Sequence, residues 1–239
     1  MASRRPWIVT RHDPIVKLDV NLWAVNGDVP GFPTTARFER RMQIVKLSDG
    51  MLLFHNAIPL DDASLAEVRA WGRPAILIVP HHLHAMDAHA FRETLGLRVF
   101  SARPVVDKVR ALVDLDGTLE ELPPDPTIRR EMLGGTKFGE AAYVVHSGPR
   151  ASLILCDAIM NSRPGRGLSS IVFRLLGFAG AEPRVALGYK LRAVSDKSAL
   201  KRDLLRLAET PNLVRLVPSH GEIVTQDPGG ALRRAAERA

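Results

Sequence analysis

The chain of 239 residues is 46% hydrophobic and 25% charged, the balance of a folded globular protein, which excludes a disordered or fibrous class. Its single cysteine, Cys156, excludes an intrachain disulfide and the disulfide-built secreted scaffolds, and fits a reducing compartment. The net charge of +7 is scattered in pairs such as Arg40–Arg41 and Arg129–Arg130, with no basic block and only 5% aromatic residues, so nucleic acid is not a favoured partner.

The N-terminal stretch Met1–Thr10 lacks the apolar segment of a signal peptide. The longest clean apolar run, Ala75–Pro80, is far short of the ~20 residues that a membrane helix needs. A cytoplasmic protein without membrane contact is therefore expected. Strands are expected at Val20–Asn26, Met42–Leu47 and Met51–Asn56, the last two joined by a tight turn at Ser48-Asp49-Gly50. Asp61 and Asp62 open a helix that runs to about Trp71 and stops at Gly72. Ala75–Val79 is apolar throughout, the pattern of a strand covered on both faces. A helix at about Ala88–Leu95, a strand at Leu97–Ser101 and a helix at Val105–Arg110 follow, so the middle of the chain is α/β. Pro123–Pro126 reads as a loop, and Glu140–His146 with Ala151–Cys156 as a strand pair around Ser147-Gly148-Pro149. Helices are expected at about Leu168–Leu176 and Lys197–Glu209, then a strand at Leu213–Pro218 and a basic closing helix.

Chemistry is concentrated at strand ends. His81, His82, His84 and His89 follow the strand Ala75–Val79 directly, and ligands of open α/β sheets collect at the carboxyl ends of strands. Neutral imidazole is a common metal ligand. The strand Ala151–Cys156 ends at Asp157, an acid with poor reason to follow four apolar residues unless it is paired or ligating. The strand Leu213–Val217 leads to His220-Gly221. Three separate strand ends thus each present a ligand-type side chain.

This order of features resembles the metallo-β-lactamase fold superfamily, over about residues 18–225 of one domain spanning 1–239. Ile-Val-Pro-His-His-Leu-His84 matches the start of that superfamily's His-x-His-x-Asp-His motif. Leu-Ile-Leu-Cys-Asp157 matches the strand of its bridging aspartate, and Val-Pro-Ser-His220-Gly its closing Pro-x-His-Gly. Arg41–Gly50, Pro80–His84, Gly139-Glu140 and Asp157–Asn161 are more specifically similar to a divergent branch known mainly as a domain of unknown function. The resemblance implies an α/β (α+β) fold, a four-layer αββα sandwich with metal at one edge. It implies a metal-dependent hydrolase-like activity using metal-activated water, with His84 and Asp157 central to it. The ligands it implies are His82, His84, Glu140, Asp157 and His220, with His81, Asp87, Asn161 and Asp196 as supporting groups. Met86 stands where the first motif has aspartate, and Gly135-Thr-Lys-Phe-Gly-Glu140 replaces Gly-His-Thr-x-Gly-His, so the ligand set departs from the full two-metal pattern. Two imidazoles with two carboxylates suit zinc, iron or manganese alike. The superfamily acts on lactams, thioesters, phosphodiesters and lactones and also reduces oxygen, so the resemblance names no substrate.

Other readings stand beside this one. A non-catalytic member of the fold, a binding or scaffold protein, would keep the sandwich and lose the ion. Asp114-Leu-Asp116-Gly-Thr matches the nucleophile motif of haloacid-dehalogenase-type phosphatases, although some 110 residues of α/β pattern precede it; a strand with a turn at Asp116-Gly117 is the plainer reading. Asp196 is read as the cap of the following helix in preference to a supporting acceptor, and Asn161 as a turn residue as readily as a substrate contact. His55 and His146 fall inside strand patterns, His89 on a helix, and Cys156 reads as a small buried hydrophobe. Arg163 and Arg166 around Pro164–Gly167 could hold an anion at the helix that follows. The oligomeric state is left open.

Overall fold

The computed structural model describes residues 5–30, 39–163, 171 and 174–239. The expected loop Pro164–Gly167 and most of the helix expected at Leu168–Leu176 lie outside the described residues. The chain divides into two compact units, Met1–Gly27 with Arg41–Arg129 and Asp28–Arg40 with Arg130–Ala239.

The first unit is built on a sheet whose strands run in sequence order: β1 (Val16–Asp19), β2 (Leu22–Asp28), β3 (Glu39–Lys46), β4 (Met51–His55), β5 (Arg73–Val79), β6 (Arg98–Ser101) and β7 (Gly117–Thr118). β3 and β4 form the expected antiparallel hairpin, with Gly50 at φ 81° in its turn. The connections then change, because helices intervene. α1 (Asp62–Trp71), α2 (Ala88–Leu95) and α3 (Val106–Arg110) each cross over to a parallel strand, giving β4–β5, β5–β6 and β6–β7 pairs. Asp61 caps α1 by accepting the Ser64 N–H at 2.7 Å. Gly72 ends that helix for a reason other than backbone freedom. Its φ of −170° suits any residue, but a Cβ there would lie 2.7 Å from Leu52 Cδ2 and 2.8 Å from the Gly50 carbonyl. Ile76–Val79 of β5 is buried on both faces, as its unbroken apolar run predicts.

The second unit is built on a four-stranded sheet in the order β11 (Leu213–Pro218), β10 (Arg150–Leu155), β9 (Ala141–Ser147), β8 (Ile128–Met132). β9 and β10 are antiparallel neighbours; β10 and β11 are parallel, with α4 (Leu187–Ala193) and α5 (Lys197–Ala208) in the chain between them. α6 (Pro228–Glu237) closes the chain. Leu153, Leu155, Leu200, Leu204, Leu216 and Leu232 are all fully buried in one core, which joins the sheet to α5 and α6. Asp196 is the N-cap of α5, accepting the Ala199 N–H at 3.0 Å, so its helix-capping role is the one realised. Among the described residues no helix is long and apolar enough to cross a membrane.

Candidate functional site

In the first unit the chemistry begins where β5 stops. After Pro80 the chain makes one 3₁₀ turn, His82–His84, with His81 as its N-cap and the His84 N–H bonded to the His81 carbonyl at 2.9 Å. His81 precedes the turn in extended conformation, and its ring lies nearer to that of His84 than to that of His82, whose centroid is 6.0 Å away. The His81 and His84 rings are buried, their centroids are 4.7 Å apart at 83°, and each offers a nitrogen within 4.8 Å of the other. Asp87 is buried at the start of α2, where its carbonyl accepts the Phe91 N–H.

In the second unit two parallel strands end side by side. The Ser219 N–H bonds to the Leu155 carbonyl at 2.9 Å, which extends the β10–β11 pairing past Pro218. Asp157 and His220 follow these two ends, both are buried, and Asp157 Oδ1 lies 3.3 Å from His220 Nε2. The other ring nitrogen, Nδ1, lies 2.8 Å from the Glu39 carbonyl. A carbonyl only accepts, so Nδ1 carries the proton of that bond. In a neutral ring Nε2 then turns a lone pair towards a carboxylate oxygen. A cation between the two, or a second proton on the ring, removes that conflict.

Glu140 serves this segment differently from the expectation. Its carboxylate accepts the Cys156 N–H at 2.8 Å on Oε1, the Ala158 N–H at 3.0 Å and 2.9 Å on both oxygens, and the Tyr189 hydroxyl at 2.8 Å on Oε2. Three donors thus engage the carboxylate, the Ala158 N–H shared between its two oxygens, and Glu140 clamps the main chain on either side of Asp157. Tyr189, on α4, was not singled out in the sequence, because its neighbours give no motif. Asn161 likewise holds the turn: its side-chain amide donates to the Glu222 carbonyl at 2.8 Å and its N–H to the His220 carbonyl at 3.0 Å. Burial, then the Asp157 and Glu140 charges, push the Cys156 thiol up, so it stays protonated, as a small buried hydrophobe should.

Burial also pushes up the phenols of Tyr189 and Tyr143, the former further raised by Glu140. A raised acid keeps its proton in the folded state while the unfolded chain releases it. Stability from these groups is complete below the ordinary phenol value of about 10 and falls as pH rises above it, by about 1.4 kcal/mol per pH unit for each phenol. Urea unfolding at pH 8 to 11 is expected to show a plateau, then this decline. An unbroken plateau would contradict the burial of the phenols.

The remaining sequence candidates have structural duties. Asp116 accepts from Arg92 and from the Val99 N–H at 2.8 Å, and Asp114 lies in the turn after α3. Gly117–Thr118 forms an edge strand parallel to β6, not a hairpin, so Asp114-x-Asp116 does not end a leading strand as the phosphatase motif requires. His55 Nδ1 is bonded to Gln43 at 2.8 Å in the core, and His146 is exposed.

No family model matches the sequence. No curated protein matches it either. Solved structures do match over nearly the whole chain. The metallo-β-lactamase DIM-1, in a crystal exposed to ceftazidime, is 14% identical with a TM-score of 0.65, over 97% of this chain and 99% of that one. FIM-1 from Pseudomonas aeruginosa, in its mono-zinc form, is 12% identical with a TM-score of 0.58, over 99% and 98%. A metallo-β-lactamase from Hirschia baltica is 14% identical with a TM-score of 0.55, over 94% and 98%. The chain has the metallo-β-lactamase fold, of mixed α and β structure with two sheets. Identities this low place it as a divergent form of that fold.

Proposed function

We propose that the chain is a metal-dependent hydrolase-like protein in which Asp157 and His220 of the second unit are ligands of a divalent cation, with the His81–His84 pair of the first unit as a further pair of donors. The observation that carries this reading is the Asp157–His220 pair, 3.3 Å apart with the far ring nitrogen committed to a carbonyl, since a metal-bound histidine commonly donates its other N–H in this way. Imidazole and carboxylate donors fit zinc, and also iron or manganese. FIM-1, a protein with this fold, has a mono-zinc form, which is in keeping with a zinc-binding reading.

A divalent ion bound there would polarise a carbonyl or phosphoryl oxygen and make water nucleophilic near pH 7. The residues of the chain keep the donors in place. The Glu39 carbonyl fixes the His220 tautomer, leaving Nε2 as the donor to the cation. Glu140 fixes the main chain at Cys156 and Ala158, and so the direction of Asp157. The 3₁₀ turn that follows His81 brings the His84 ring beside its own.

The test is hydrolysis of a panel holding a lactam, a thioester, a lactone and a phosphodiester. Activity on one of them should vanish after chelation and return with zinc, iron or manganese. Activity that survives complete chelation would overturn the reading, and a metal-loaded protein inert to every member would favour the binding-protein alternative.

A further inference from the structure

Beside the histidine turn, and within the first unit alone, lies a cavity of about 520 Å³. This volume falls in the range of small-molecule sites, about 300–1,000 Å³. Leu83, Met86 and Leu112 supply apolar wall, and Arg5, His82 and His89 supply the polar groups. Among the described residues no acid lines it, and the Arg5 guanidinium is the formal charge it presents. The His89 ring lines this cavity, and among the described residues its buried Nδ1 has no hydrogen-bond partner.

We propose that this cavity binds a small organic carboxylate with an apolar body. A guanidinium presents a planar fork that matches a carboxylate, and a neutral imidazole can donate to the same group. The Leu83, Met86 and Leu112 walls take the ring or alkyl part. A cation would meet Arg5 unfavourably. Inorganic phosphate would satisfy the polar side and leave the apolar walls wet. The inference does not depend on the metal reading, because none of the four proposed ligands lines this cavity.

Titration calorimetry with benzoate, benzamide and inorganic phosphate tests the proposal on the full chain. Benzoate should bind at least about tenfold more tightly than benzamide or phosphate, and Arg5→Gln and His89→Phe should each weaken it by about tenfold or more. Asp157→Ala should leave benzoate binding unchanged, which separates this cavity from the proposed metal centre. Equal binding of benzoate and benzamide, no benzoate binding, or indifference to both cavity substitutions would overturn the proposal. So would loss of benzoate binding in Asp157→Ala, since the anion would then sit on the metal.

Discussion

Asp157→Ala is expected to lower affinity for a divalent cation by about a hundredfold or more while leaving the fold intact. The substitution removes the carboxylate of the proposed set, whereas even groups that only orient a ligand are commonly worth about 10–100-fold. The fold should survive because the segment is held by its own N–H groups at Cys156 and Ala158, bonded to Glu140 rather than to the Asp157 side chain. Competition against a chromogenic chelator measures the affinity, and far-ultraviolet dichroism checks the fold. Wild-type affinity in the variant would remove Asp157 from the set.

Glu140→Ala should act in the opposite way, through stability. It strands the Cys156 and Ala158 N–H groups and the Tyr189 hydroxyl, all buried. At about 1–3 kcal/mol for each stranded donor, less what water recovers, the cost is about 3–5 kcal/mol in urea unfolding. Glu140→Gln separates a clamp from a ligand. Its one carbonyl oxygen can accept both N–H groups and its amide can donate to Tyr189, so it should keep most of the stability. Metal affinity should then stay within about threefold of wild type, below the 10–100-fold expected even of a group that orients a ligand. A glutamine variant that folds yet loses the metal would restore Glu140 as a ligand.

The strand ends were legible in the sequence because burial on both faces leaves an unbroken apolar run, and a polar residue after such a run stands out. That is how Ala75–Val79, Asp157 and His220 were found. The pairing of the His81 ring with that of His84 was not legible, since it depends on the 3₁₀ turn after Pro80, and four closely spaced histidines suit several registers. Glu140 was legible as an unusual acid. Its partners were not: they are main-chain groups beyond the β9–β10 hairpin and a phenol on α4. The missed elements have weak patterns for physical reasons. β8, Ile-Arg-Arg-Glu-Met, is a mainly polar edge strand, and α4 is short and contains Gly188. The Asp114–Thr118 motif shows the converse, a match whose surroundings assign it to an ion pair with Arg92 and an edge strand.

The most direct measurement is elemental analysis of protein purified without a histidine tag, before and after reconstitution. About one equivalent of zinc, iron or manganese per chain, lost in Asp157→Ala, is the expected result. Less than about 0.1 equivalent, with no gain on reconstitution, would mean that the histidines and Asp157 hold no ion.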